Sequence, residues 1–247
     1  MAFDKGYAEY YDMFNSGKNY DNEVMFLDKI FKEHDVTSFL DLGCGTGVHA
    51  EKMTGMGYDV TGLDISPDMI KVAKEKEIDQ AEFIVGDMTN FNLNKKFDAC
   101  TIMFAAFGYL TENKQLEDCL KCISEHLTVD GILTFDCWNG LGVMRDLPSS
   151  RVKEVELDGT NIRRTSHPTM RAINQVCDIK FDVEVSKDGE IIKEYKEDHS
   201  MRFFFPMELK KYLEDAGFEV LRICKDFDDK EDLDENSWNM SVIAMKV

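Results

Sequence analysis

Apolar residues recur along this chain in two rhythms. Short, nearly continuous apolar runs at 38–42, 59–64, 81–85, 97–103 and 132–135 read as buried parallel strands. Between them apolar positions fall every three or four residues, as in Val24, Leu27, Ile30 and Phe31 within 22–34, or Leu116, Leu120, Ile123 and Leu127 in a helix that Thr111 is expected to cap. Ser66-Pro67-Asp68 reads as a helix start, with serine as N-cap and proline at the first helical position. The alternation of strand and helix stops after about residue 139. From 151 to 205 the period is two, with hairpin signals at Asp158-Gly159 and Asp188-Gly189 and the best strands at 176–185 and 191–205. A helix from Pro206 to Gly217 and strands at 218–226 and 239–247 close the chain.

The first strand carries the chemistry. It reads Phe39-Leu40-Asp41-Leu42-Gly43-Cys44-Gly45-Thr46-Gly47, an acid followed by three glycines at alternate positions. Glycine lets backbone approach a ligand closely. A dinucleotide fingerprint would read G-x-G-x-x-G, whereas here the pattern is D-x-G-x-G-x-G. The second strand ends in another acid, Asp64, followed by Ile65. A carboxylate at that position can accept hydrogen bonds from ribose hydroxyls. The third strand ends in Gly86-Asp87-Met88.

These three segments, in this order, resemble class I S-adenosylmethionine-dependent methyltransferases. The resemblance implies an α/β fold with a Rossmann-like, seven-stranded, mostly parallel sheet in which the last strand runs antiparallel beside the fifth. Residues 1–139 and 206–247 would form the cofactor-binding domain under an N-terminal helical lid, with 140–205 as an antiparallel β insertion serving as substrate cover or dimer surface. The lid is rich in rings, Tyr7, Tyr10, Tyr11, Phe14 and Tyr20, which can pack on the domain or cover a sulfonium by cation–π attraction.

Composition narrows the partners. In 247 residues a formal charge of −19 disfavours nucleic acid. The acidic run 226–235 reads as a solvated loop without calcium-loop spacing. Seven scattered cysteines do not suggest a disulfide framework, and Cys119 and Cys122 sit on a helical pattern where packing is the simpler reading than metal or redox chemistry. No metal site is expected. No apolar run is long enough to span a membrane, and the first residues lack the features of a signal peptide, so a cytoplasmic protein is expected.

The resemblance extends to bacterial N,N-dimethyltransferases acting on nucleotide-linked 3-amino-deoxysugars, through Tyr11-Asp12, Lys18-Asn19-Tyr20, Met103-Phe104 and Gly108-Tyr109-Leu110, with Ser166-His167 and His199 in the insertion. It implies cofactor contacts from Tyr11, Tyr20, Asp41, Gly43, Gly45, Asp64, Ile65, Asp87, Met88 and Met103. Asp136, at the end of the fifth strand, falls where these enzymes place a glutamate facing the substrate amine, and Tyr109 falls near the reacting centre. Phe3 replaces a substrate-contacting tyrosine, and Trp238 stands where an arginine would meet nucleotide phosphates. Trp138, His167, His199 and Arg202 are further candidates for touching a small-molecule substrate, with Tyr109, His167 or His199 passing its proton onward. An O-methyltransferase, a non-catalytic cofactor-binding regulator and a nicotinamide dehydrogenase are the alternatives.

Overall fold

The computed structural model describes residues 8–247, so Phe3 and Tyr7 lie outside the described residues. In chain order the first elements are α1 (Tyr11–Phe14), α2 (Tyr20–Glu33), β1 (Ser38–Leu42), α3 (Val48–Thr54), β2 (Asp59–Asp64), α4 (Pro67–Glu75) and β3 (Ala81–Val85). Then come β4 (Phe97–Ile102), α5 (Asn113–His126), β5 (Leu127–Asn139) and α6 (Gly140–Arg145). Four long strands follow, β6 (Arg151–Leu157), β7 (Thr160–Arg171), β8 (Val176–Lys187) and β9 (Glu190–Phe204). The chain ends with α7 (Pro206–Asp215), β10 (Phe218–Lys225), β11 (Asp228–Asp232) and β12 (Asn239–Lys246).

Strands β1 to β5 pair in parallel in the order β3-β2-β1-β4-β5. β12 enters antiparallel between β5 and β10. These seven strands have the order the resemblance implied, but hydrogen bonding continues beyond them to a twelve-stranded sheet. β11 extends the β10 edge, so the acidic run expected to be a loop contains a short strand; its charges stay in water on an outer edge. The other four strands form the antiparallel ladder β9-β8-β7-β6, turned at both predicted hairpin sites.

One junction sets the position of that ladder. β4 stops at Ile102, paired with Phe135, while β5 runs on to Asn139. Beyond the end of β4, Trp138 and Asn139 pair in parallel with Phe203 and Phe204 of β9. The ladder therefore hangs over the carboxyl ends of the parallel strands, where open α/β sheets bind ligands.

Local sequence explains the helix starts. The Ser66 hydroxyl accepts the Met69 N–H at 3.2 Å, with Pro67 in the first turn. α5 is capped by Glu112 rather than Thr111, because Gln115 lies three residues on and its side-chain oxygen accepts the Glu112 N–H at 3.0 Å. The two faces of the sheet bury separate apolar clusters, one around Phe97, Phe107, Phe135 and Phe204, the other around Phe31, Phe39 and Phe83. Cys119 is buried in the first, as the packing reading expected. Among the described residues no helix is long and apolar enough to cross a membrane.

Gly47 begins α3 with φ of 78°, and a Cβ there would lie 2.8 Å from the Phe83 ring. Gly47→Ala should therefore cost about 2 kcal/mol or more, from left-handed backbone and displaced packing together, read as a lower midpoint in urea unfolding with unchanged slope.

Candidate functional site

One glycine-rich turn shapes the crevice at the ends of β1 and β2. Gly43, Gly45 and Gly47 all have positive φ, and the Gly43 N–H donates to the Leu63 carbonyl at 2.7 Å, tying the turn to β2. Asp64 accepts from the Gly45 N–H at 2.9 Å and the Ser66 N–H at 2.8 Å. Burial raises its pKa against those two donors. Asp41 is buried beneath the turn, with one carboxylate oxygen accepting from the Thr101 hydroxyl at 2.9 Å and the other without a partner among the described residues. Desolvation lifts its pKa to about 6, against the His49 charge and the Thr101 bond.

A second polar group closes the crevice from the lid side. Lys18 pairs with both Glu23 oxygens at 2.5 Å, and Glu23 meets His49 Nε2 at 2.7 Å. The Lys18 ammonium lies 4.1 Å from the Tyr20 ring centre and 4.3 Å from that of Phe104, a two-ring clamp on a cation. Burial lowers the Lys18 pKa, with Glu23 and Asp136 opposing. Asp12 of α1 accepts from the Thr46 hydroxyl and pairs with Lys76 at 2.7 Å, fixing the lid to the glycine turn.

Beyond β4 and β5 opens a cleft of about 350 Å³ with a largely aromatic wall, including Tyr11, Phe104, Trp138, Phe181 and Trp238. Phe104 and Ala105 are both left-handed, with φ of 61° and 55°, a pair of strained residues at the end of β4. The bend they make aims the Ala105 N–H at Asp136, 2.8 Å away. The second Asp136 oxygen is buried with no partner among the described residues. Desolvation, with Glu23 adding repulsion, pushes this carboxyl up to about 7 despite the Ala105 and Phe104 N–H groups and Lys18. Across the cleft the Tyr109 hydroxyl meets His199 Nδ1 at 2.7 Å, and His199 Nε2 meets the buried Glu197 carboxylate at 2.9 Å. Trp138 and Trp238 pack edge to face at 4.9 Å.

The structure thus gathers Tyr11, Met103, Tyr109, Asp136, Trp138 and His199 around one cleft. Tyr20 lines the neighbouring hollow beside the glycine turn, and a side chain at Gly43 would touch Met88. Ile65 is 64% exposed just past β2, and Asp87 turns back to accept from Thr89. Two expected substrate residues are not brought to the cleft. His167 is exposed on β7 and paired with Asp182 at 3.1 Å. Arg202 is buried against Glu208 at 2.5 Å and Asn113 at 2.9 Å, because its strand position faces α7 and the start of α5.

Sequence reasoning missed Glu23, His49, Arg164 and Glu197. Glu23 falls in phase with Leu27 and Ile30 on a helix stripe that is otherwise apolar, and Glu197 alternates in step with His199, Met201 and Phe203. Charges on buried phases were the signal that could have found them.

Residues 39–131 match the methyltransferase domain family. The chain is 28% identical over 222 residues to the dTDP-3-amino-3,4,6-trideoxy-alpha-D-glucopyranose N,N-dimethyltransferase of Streptomyces venezuelae, covering 88% of this chain and 92% of that protein. It is 27% identical to a putative methyltransferase, YqeM, of Bacillus subtilis, covering 92% and 91%. Among solved structures, Streptomyces venezuelae DesVI superposes over the full length of both chains with a TM-score of 0.83 at 24% identity. An S-adenosylmethionine-dependent methyltransferase from Clostridium acetobutylicum covers 96% of each chain with a TM-score of 0.81 at 18% identity. This chain is an S-adenosylmethionine-dependent methyltransferase.

The methyltransferase's crevice fits that cofactor. Its glycine cradle leaves room for a ligand against backbone, the buried Asp41 oxygen has an open acceptor position, and two rings already hold a cation. Buried acids also make stability depend on pH. Below about 4 Asp136 is protonated in both folded and unfolded chains; between there and about 7 only the unfolded chain ionises, so stability is lost as pH rises through that window. Asp136→Asn should therefore stabilise the methyltransferase at pH 8 by a few kcal/mol at most, on the order of the pKa shift, with the difference vanishing toward pH 4, read as melting temperatures of the two proteins across pH.

Proposed function

We propose that this methyltransferase methylates an amine nitrogen on a small molecule of the amino-sugar class. The observation that carries the reading is Asp136, a buried carboxylate in the lining of an aromatic cleft, with one oxygen that has no partner among the described residues. A carboxylate there orients an amine by accepting its N–H bonds and favours a cationic nitrogen as it forms. When bound, S-adenosylmethionine supplies an activated methyl carbon on a sulfonium. Asp41, Asp64, Gly43, Gly45, Tyr20 and Met88 would hold it, together with Ile65, Asp87, Tyr11 and Met103. Ordering of both partners in a site shielded from water then accounts for most of the rate.

The β7 to β9 ladder supplies the cover on the acceptor side through Arg164, Ile179, Phe181, His199 and Met201. Arg164 is held between the Phe14 and Phe181 rings at 4.2 and 4.3 Å. With Trp238 standing where related enzymes would place an arginine, Arg164 is the guanidinium that would meet an anionic part of the acceptor. The relatives that act on dTDP-linked amino sugars support this class.

Mass spectrometry of nucleotide-linked amino sugars, free amines and hydroxyl-bearing sugars incubated with protein and S-adenosylmethionine tests the proposal. One or two methyl groups should be added to the amino-sugar class, and methylation of hydroxyl acceptors alone would overturn the reading. Asp136→Asn should lower kcat/KM by roughly 100-fold with cofactor affinity within about twofold. Arg164→Met should raise KM for a phosphorylated acceptor by about tenfold and leave kcat near the parent value, measured by steady-state kinetics.

A further inference from the structure

Tyr109, His199 and Glu197 come from two separate parts of the chain. Tyr109 ends the 3₁₀ turn Ala106–Tyr109 that follows β4, while His199 and Glu197 lie two residues apart on the inward face of β9. The contacts run in one line, Tyr109 Oη to His199 Nδ1 at 2.7 Å and His199 Nε2 to Glu197 Oε2 at 2.9 Å. Only the first two members reach the cleft, and Glu197 is 2% exposed behind them. A carboxylate accepts and does not donate, so the ring nitrogen facing Glu197 must carry a proton. In a neutral imidazole the other nitrogen, Nδ1, is then bare and accepts the Tyr109 hydroxyl proton.

We propose that Glu197 is a positioning residue that fixes this tautomer of His199 and so turns Tyr109 into the outlet for the acceptor's proton. The inference rests on the N-methyltransferase reading. In methyl transfer the nitrogen lone pair forms the N–C bond while the pair of the breaking C–S bond stays on sulfur, leaving the nitrogen cationic with a surplus proton. That proton passes from the nitrogen to Tyr109 Oη as the hydroxyl's own proton passes to His199 Nδ1, giving an imidazolium next to the Glu197 carboxylate. The charge is matched within the cleft, and the proton returns to water when the product leaves. A once-methylated amine is left neutral by this step, and a neutral lone pair is what a second transfer needs. The relay therefore equips the protein to add two methyl groups rather than one.

Two measurements test this, and the first needs no catalysis. Nitrogen-15 NMR of the histidine rings, with His199→Gln to assign the signal, should show His199 protonated at Nε2 and bare at Nδ1 in the protein without cofactor. A proton on Nδ1 would overturn the proposal. In the second, Tyr109→Phe and Glu197→Gln are compared singly and together on an accepted amine. Each should lower kcat by roughly 10-fold or more with KM within about twofold, the double variant should be no slower than the slower single one, and monomethylated product should accumulate. Multiplying losses, or a rise confined to KM, would mark Glu197 as a packing residue and sink the relay. If the parent protein methylates no amine, both the functional reading and the relay fail; if it does so and Glu197→Gln matches it in kcat, the relay alone fails.

Discussion

The bond from the Ala105 N–H to Asp136 holds the two halves of this site together. β4 and β5 are neighbours through Ile102 and Phe135, then separate, and the two left-handed residues Phe104 and Ala105 carry the chain across the gap. Without that bend the aspartate would be a buried acid with no donor. With it, one oxygen is satisfied and the other is left buried without a partner among the described residues. The strain in two residues is offset by a charge-assisted hydrogen bond, an arrangement that persists only where the surrounding core over-determines the backbone. Phe107, stacked on Phe135 at 4.0 Å immediately after the bend, is part of that core.

The site is made mainly of groups whose burial opposes their charge. Asp41, Asp64 and Asp136 all have carboxyl pKa values raised first by desolvation. Glu23 shows the opposite balance: burial would raise it, but His49 and Lys18 together hold it below its ordinary value. One acid is thus held below its ordinary pKa by its two partners, while Asp41 and Asp136 each keep one oxygen without a partner among the described residues. Such a crevice favours cations without fully neutralising itself, and folding tolerates its cost because the sheet around it buries large apolar clusters on both faces.

Much of the fold was legible because the relevant signals are local. The five parallel strands, the Ser66 cap and the hairpins at Asp158-Gly159 and Asp188-Gly189 depend on runs, caps and turns a few residues long. The glycine turn was legible for the same reason. What could not be read were pairings between distant segments. Arg202 and His167 have the chemistry of ligand-binding residues, and only the register of β9 and β7 sends one to Glu208 and the other to Asp182. The approach of His199 to Tyr109 likewise depends on β9 passing beyond the end of β4. The strand of Asp228–Asp232 escaped because its side chains are those of a loop and its pairing partner is supplied by β10.

The ladder of β6 to β9 joins the parallel sheet through two residue pairs, Trp138 with Phe203 and Asn139 with Phe204. Five of the cleft's side chains are carried on it, whereas the glycine turn and its acids belong to β1 and β2. The two surfaces are therefore separable in inheritance. A lineage can redraw the ladder's inward face, exchanging one acceptor for another, while every residue that shapes the turn stays fixed.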